Sequence, residues 1–326
     1  MRKDIAFLAE FSDGSPSRSA LELAAGAAEL ARQGGGAAVA LAYGAGAAGA
    51  AVLGAAGAAR AVILADTTLP AITNASAAAA AVRDLAPLAV LAPATPNGRD
   101  LAAALVGLLG LPAFGPVRAV RIEGGQVRSE QATLQGTVIT VSEPADGAPT
   151  PAVVLVLPST FAPLEGESGK ATVDKPPDSE AGAFGTAHIV ESHPAEAAVA
   201  NLEEASVIVA GGRGVGSADG FAPLHELAAA LGGAVGASRA AADAGWVPYQ
   251  LQIGQTGKVV KPALYVGCGI SGAIQHRVGM QTAENVLAIN KDPDAPIGEF
   301  ADLFVVGDLF TIVPKLTAEI RRRKGI

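Results

Sequence analysis

Ala263-Leu264-Tyr265-Val266-Gly267-Cys268-Gly269-Ile270-Ser271-Gly272-Ala273-Ile274-Gln275-His276 joins an apolar strand to a helix with almost no side chains in between. The strand, Ala263 to Val266, is short and uninterrupted, as in a parallel sheet covered on both faces. Gly267, Gly269 and Gly272 let the backbone turn sharply and let a ligand approach the main chain. Ser271 is a good N-cap for a helix running to about Gly279. Free N–H groups and the positive end of a helix dipole would then meet at one place, which suits a phosphate or pyrophosphate. His276 follows Gly272 by one helical turn, so its imidazole reaches past the phosphates towards whatever they carry. Read alone, the stretch is explained equally well as a structural glycine turn with a surface histidine, and its neighbours have to decide.

Upstream, the strand Ser206 to Ala210 runs directly into Gly211-Gly212-Arg213-Gly214-Val215-Gly216-Ser217. The G-x-G spacing is present but the third glycine comes too early for the full dinucleotide fingerprint. Arg213, a guanidinium amid exposed N–H groups, suits a phosphate clamp. Pro223 opens a helix through Leu224, Leu227 and Leu231, closed by Gly232-Gly233, with His225 on its exposed side. Further strands end in polar residues: Ala234 to Ala237 in Ser238-Arg239, Val286 to Ile289 in Asn290-Lys291-Asp292, and Leu303 to Val306 in Gly307-Asp308-Leu309. A long loop between them carries Gln252-Ile253-Gly254-Gln255-Thr256-Gly257. In a parallel sheet these ends share one edge, so Arg213, Ser238, Arg239, Thr256, Ser271, His276, Asn290 and Asp308 converge. Five such loops in succession make a site for a large phosphorylated ligand.

The N-terminal half repeats the alternation. Strands Asp4 to Glu10, Ala37 to Ala42, Ala61 to Ala65 and Ala89 to Ala92 are parted by helices from Ser17, through the alanine-rich Tyr43 to Ala59 region, and near Ala77 to Leu85. Thr95-Pro96-Asn97-Gly98-Arg99-Asp100-Leu101 is a polar strand-to-helix turn, read as structural or as a subunit contact. Val117 to Ile122, Gln126 to Leu134, Thr137 to Val141 and Ala152 to Leu157 read as antiparallel strands extending the sheet. Pro158 to Pro194, rich in Pro, Gly, Ser and charge, reads as a mobile connection, with His188 and His193 as surface residues. The expected organisation is therefore α/β, two doubly wound domains. Residues 1–195 form an N-terminal α/β domain with added antiparallel strands and a linker from about 158; residues 196–326 form a C-terminal parallel-sheet domain.

Composition agrees with this and excludes other classes. A length of 326 residues suits two domains, and no apolar run lacks the glycines that argue against a membrane span. Asp4 and Glu10 interrupt any signal-peptide pattern, so the expected location is cytoplasmic. The single cysteine, Cys268, permits no internal disulfide and reads as a small buried filler. A formal net charge of −8 argues against nucleic acid, and the one basic run, Arg321 to Lys324, complements the end of a C-terminal helix.

The inventory comprises donors to anions, an acceptor for ribose in Asp308, an amide in Asn290 and one histidine, without a base–nucleophile pair or a metal cluster. Such a site suggests that a cofactor carries the chemistry, and flavin fits best. Arg239 and His276 beside an isoalloxazine would favour its anionic forms and raise its potential, and Thr256 could donate to the ring edge. At Gly211 to Gly214, Gly236-Ala237-Ser238-Arg239, Gln255-Thr256-Gly257, Gly269 to His276, Ala288 to Pro293 and Asp308-Leu309 the chain closely resembles the electron transfer flavoprotein alpha-subunit family. The N-terminal half resembles it more loosely, through Leu8-Ala9-Glu10 and Gly98-Arg99-Asp100-Leu101.

The resemblance implies a redox carrier rather than a substrate-converting enzyme. It implies a heterodimer with a beta subunit and one FAD held mainly by the second domain. Carried over, Arg213, Ser238 and Ser271 face the pyrophosphate region, and Asn290 and Asp308 hold the adenosine end. Arg239, Thr256, Gln275 and His276 surround the flavin ring or its linker, while Ile253, Gly254, Gln255, Gly269, Gly272, Ala273, Ile274 and Leu309 complete the cofactor-binding set. Family members take electrons from acyl-CoA dehydrogenases of fatty acid β-oxidation, or similar flavoenzymes, and pass them to a membrane quinone oxidoreductase. Whether the partner carries AMP or a second FAD is left open. Gly267-Cys268 departs from the small residues expected before Gly269, and residues 43–59 match no motif of the family. A pyridine-nucleotide dehydrogenase would need a further acid or base and a fuller glycine fingerprint; an adenine-nucleotide-binding regulatory module would be colourless.

Overall fold

Ile5, Phe7, Ala9 and Phe11 point to one face of strand β1 (Ile5–Ser12) and Ala6 and Leu8 to the other, and all six are buried. A strand with two apolar faces must lie inside a sheet covered on both sides. The computed structural model describes residues 3–12, 14–44, 46–65, 71–134, 138–164, 169–177, 189–191, 202 and 205–325. The chain forms two units, Met1–Ser192 and His193–Ile326.

In the first unit β1 is followed by the short β2 (Ser15–Pro16), α1 (Arg18–Gly34), β3 (Ala38–Tyr43), α2 (Ala47–Val52), β4 (Arg60–Ala65), α3 (Ala75–Leu85), β5 (Ala89–Pro93) and α4 (Pro96–Leu109). Ser17 caps α1 by accepting from the N–H of Ala20 at 3.1 Å, and Gly35, at φ 72°, closes it. Next come β6 (Ala113–Val117), β7 (Ala119–Glu123), β8 (Gln126–Thr133), β9 (Val138–Ser142), β10 (Ala152–Val156) and β11 (Thr172–Asp174). The main sheet has the order β11-β4-β3-β1-β5-β10-β6, every neighbouring pair parallel, with β2 antiparallel to β1. Helices α1 and α2 cover one face and α3 and α4 the other. Much of both layers is alanine, and leucines such as Leu41 and Leu91 each contribute about 2 kcal/mol by full burial.

Two expectations are corrected here. The segments between Val117 and Leu157 do not extend the sheet as antiparallel strands. Instead β7, β8 and β9 form their own antiparallel sheet, and β10 enters the main sheet parallel, between β5 and β6. The residues explain the division. In β10 the run Ala152-Val153-Val154-Leu155-Val156 is apolar on both sides and suits the interior. In β7 and β8 charged residues alternate with apolar ones, and Arg121 pairs with Glu130 at 2.6 Å on the solvent side.

The stretch after Pro158, expected to be a connection, is in part structure of the first unit. The buried carboxylate of Glu22 accepts from the N–H of Ser159 at 2.7 Å. The ring of Phe161 fills the space above Gly26, where a Cβ would lie 2.3 Å from it. Strand β11 pairs with β4, and Asp174 accepts from Arg60 at 2.9 Å. Residues 178–188 and 192–200, with His188, His193 and the expected boundary at 195, lie outside the described residues.

The second unit comprises β12 (Val207–Gly211), α5 (Ala222–Leu231), β13 (Ala234–Ala237), α6 (Arg239–Asp243), β14 (Leu264–Cys268), α7 (Ile274–Met280), β15 (Val286–Asn290), β16 (Leu303–Val306) and α8 (Leu309–Lys324). Its sheet is parallel throughout, in the order β13-β12-β14-β15-β16. The chain direction across the sheet therefore reverses between β12 and β14, and a crevice is expected outside their carboxyl ends. The basic run ends α8, where Arg322 and Arg323 bond Glu319 at 2.7 Å and Lys324 reaches the carbonyl of Ala230 at 3.0 Å. Among the described residues, no helix is long and apolar enough to cross a membrane.

Candidate functional site

The two loops at this reversal pack backbone against backbone. The N–H of Gly212 donates to the carbonyl of Cys268 and that of Gly214 to the carbonyl of Gly269, each at 2.9 Å. A Cβ on Gly212 would lie 2.3 Å from the Gly269 oxygen. Gly272, at φ 86°, sits against Ile297, where a Cβ would fall 2.4 Å from the backbone nitrogen. These glycines are required first by the contact of chain with chain, and the loops they form then wall a cleft.

That cleft has a volume of about 710 Å³, within the ordinary range of cofactor sites. It brings together Arg213, Ser238, Arg239, Thr256, Gly269, Ser271, Ala273, Gln275, His276 and Asn290 of the residues expected from sequence. Ile253, Gly254, Gln255, Gly272, Ile274, Asp308 and Leu309 do not line it. Ile253 and Leu309 are core residues. The N–H of Gln255 ties the Thr256 loop to the carbonyl of Gln275 at 2.8 Å, and Gly254 packs on Gly279 of α7. Asp308 caps α8, accepting from the N–H of Phe310 at 3.2 Å and the hydroxyl of Thr311 at 2.9 Å.

Ser271 is not the N-cap of α7, contrary to expectation. The helix starts at Ile274 after Ala273, because Gly272 in the left-handed region postpones the first turn. Ser271 remains on the cleft wall, and its carbonyl accepts from the N–H of Ile297 at 3.0 Å. Ser238 does stand at the N-cap of α6, yet its buried hydroxyl makes no hydrogen bond there. A buried hydroxyl without a partner costs about 1–3 kcal/mol, so this position calls for an acceptor from the cleft.

Arg239, Thr256 and Asn290 are held by neighbours. Arg239 donates to Asp243 at 3.3 Å, and Tyr249 donates to the same carboxylate at 3.1 Å. Thr256 accepts from the buried amide of Gln252 at 2.9 Å, which leaves its own hydroxyl proton to point elsewhere. Asn290 donates to the carbonyl of Ile270 at 2.9 Å and accepts from the N–H of Asp292 at 3.1 Å, bracing the glycine loop from β15.

His276 is 6% exposed, not a surface residue. Its Nε2 lies 2.6 Å from the hydroxyl of Tyr265, itself fully buried on β14. Burial lowers the His276 pKa to about 4, partly opposed by the Ile253 backbone, so the ring is neutral at pH 7. Burial likewise pushes Tyr265 well above its ordinary range and Cys268 up to about 12, which makes Cys268 the inert filler its sequence context implied. Sequence reasoning missed Gly214, Ala240, Asp243, Ile270, Lys291, Asp292, Ala295 and Pro296 as wall residues. Asp243 had a legible signal, its i,i+4 spacing from Arg239.

Two parallel α/β sheets, with a cation-lined cleft at the reversal point of the second, define a nucleotide-cofactor protein as a class. Residues 5–181 match the electron transfer flavoprotein domain, and residues 201–281 match the electron transfer flavoprotein FAD-binding domain. The chain is 45% identical over 251 residues to the electron transfer flavoprotein subunit alpha of Mycobacterium leprae, covering 76% of each. A subunit alpha of Thermoanaerobacterium thermosaccharolyticum is 60% identical over 126 residues, 39% of this chain and 38% of that one. Protein FixB of Clostridium saccharobutylicum is 38% identical over 231 residues, 70% and 68% of the two. The chain belongs to the electron transfer flavoprotein alpha-subunit family.

Proposed function

We propose that this chain binds one FAD in the cleft of its second unit and works as the alpha half of a heterodimer with a beta subunit, relaying electrons between flavoproteins. The observation that carries this reading is the convergence of Arg213, Ser238, Arg239, Thr256, Ser271, Gln275 and His276 on one cleft of about 710 Å³. The residues present fit the cofactor. The unpartnered Ser238 hydroxyl and the Arg213 guanidinium suit a pyrophosphate, while Arg239, Thr256 and neutral His276 supply donors for the electron-rich edge of an isoalloxazine. When bound, FAD supplies the redox chemistry. The chain's residues hold and orient it, and the Arg239 charge favours a more negative ring. Asn290 acts by fixing the Ile270 loop, and Asp308 and Gln255 act through the backbone they secure.

The electron donor in this proposal is an acyl-CoA dehydrogenase or a similar flavoenzyme, and the acceptor is a membrane quinone oxidoreductase. The domain assignment proposed with it places FAD binding in residues 196–326 and subunit contact in residues 1–195, in a cytoplasmic setting. A test is to mix the heterodimer with a catalytic amount of acyl-CoA dehydrogenase and its substrate. Bleaching of the flavin absorbance at a rate that saturates with heterodimer supports the reading; a heterodimer whose absorbance stays unchanged with every such dehydrogenase contradicts it.

A further inference from the structure

His276 and Tyr265 form a buried pair whose proton arrangement can be worked out by counting donors. The hydroxyl of Tyr265 lies 2.6 Å from His276 Nε2, with the rings 6.1 Å apart and tilted by 57°. Nδ1 of the same ring is buried and makes no hydrogen bond of good geometry, and the side chain lines the cleft. Two arrangements are available. If Nε2–H donated to the tyrosine oxygen, the tyrosine proton would be buried with nowhere to go, and the bare Nδ1 lone pair would also lack a partner. If tyrosine donates to Nε2, its proton is satisfied, and Nδ1 carries the ring's hydrogen. The Ile253 backbone, which favours protonation of this ring, also agrees with a hydrogen at Nδ1 rather than a lone pair. The first arrangement leaves both the tyrosine proton and Nδ1 unsatisfied and the second at most Nδ1–H, so the second arrangement wins.

We propose that Tyr265 is a positioning residue for the cofactor cleft: its hydroxyl donates to His276 Nε2 and fixes the neutral Nδ1–H tautomer, so that the ring on the cleft wall is held in one orientation without a positive charge. The proposal rests on the FAD reading for its consequence but not for its geometry. Charge at the cleft then comes from other residues, namely Arg213, Arg239 and Lys291 against Asp243 and Asp292, while the helix that carries His276 contributes Arg277, stacked on Phe300 at 4.9 Å. Cys268, at the end of the same strand, stays a neutral thiol.

The tautomer can be read directly from nitrogen chemical shifts and two-bond couplings of ¹⁵N-histidine-labelled protein at pH 7, since the chain has only 4 histidines. The expected His276 pattern is a protonated Nδ1 with an acceptor-type Nε2. A protonated Nε2 in the wild-type protein overturns the proposal without any variant. In Tyr265→Phe the Nε2–H form should gain population at the expense of Nδ1–H and the FAD potential should shift, with FAD still bound and Tm lowered by the loss of one buried hydrogen bond. A Tyr265→Phe protein with the wild-type tautomer and potential also overturns it. Failure of the FAD reading would show separately, as a heterodimer that binds no flavin whatever the tautomer.

Discussion

The carboxyl edges of the two main sheets each contain a reversal point and have opposite chemistry. In the first unit the chain reverses between β1 and β5, and there Glu10, at the end of β1, accepts hydrogen bonds from Thr95 at 3.4 Å and from Asn97. Thr95 meanwhile caps α4, accepting from the N–H of Gly98 at 3.1 Å. The edge is closed by its own side chains, with a carboxylate where an anion would otherwise sit. In the second unit β12 ends in Gly211 and β14 in Cys268 followed by Gly269, and an open cleft with an unpartnered hydroxyl and cations lies above them. A reversal point provides the crevice, but the residues at the strand ends decide whether it takes a ligand.

Substitutions at the two edges test this difference. The largest effect is expected from Gly212→Ala, whose methyl would lie 2.3 Å from the Gly269 oxygen. It should cost about 3 kcal/mol and abolish FAD retention, while Gly216→Ala, with open space around it and φ 84°, should cost about 1 kcal/mol. Urea unfolding of both variants checks this, and equal losses would mean that loop contact is not what these glycines serve.

Acid should affect the second unit next. The folded pKa of His276 lies near 4, below its ordinary 6.5, so between these values the unfolded chain binds more protons. Stability should therefore fall as pH drops from about 6.5 to about 4, by up to about 3 kcal/mol from this group, and then level off. His276→Gln should remove that slope. A slope that survives the substitution would assign the acid sensitivity to other groups.

Ser238→Ala should leave the flavin-free protein as stable as before and weaken FAD binding by about 1 kcal/mol, roughly five- to tenfold. Isothermal titration of FAD into the stripped heterodimer measures it. At the closed edge Glu10→Ala should cost the first unit about 1 kcal/mol through two lost hydrogen bonds. FAD affinity should not change, and a change would show that the first unit's edge contributes to the site. Arg239→Ala should have the smallest effect on stability, within about 0.5 kcal/mol, because its pair with Asp243 is exposed. It should retain FAD but lower its potential, and an unchanged reductive titration would remove Arg239 from the flavin's surroundings.

Much of this contrast was legible in the residues. Each strand of the second sheet was read within two residues of its observed ends, because short apolar runs ending in polar turns have few other solutions. The glycine loops drew attention to the cleft, although their spacing reflects packing of Gly212 and Gly214 on Gly269 as much as approach by a ligand. The rest depended on contacts remote in sequence. Nothing in the local pattern tells that Asp308 spends its carboxylate on α8, that Ser271 misses the helix cap, or that β10 threads into the sheet while β7 to β9 leave it. Tyr265 looked like one more strand residue, since its role depends on a histidine 11 residues away on the next helix.

The proposal stands or falls on whether the open edge of the second unit holds a flavin. The most direct test is the absorption spectrum of the chain purified with its co-expressed beta subunit, followed by acid release and counting of the chromophore. The expected result is a yellow complex that releases one FAD per heterodimer, with the FAD lost in Gly212→Ala and retained in Glu10→Ala. A colourless complex that takes up no added FAD would contradict it.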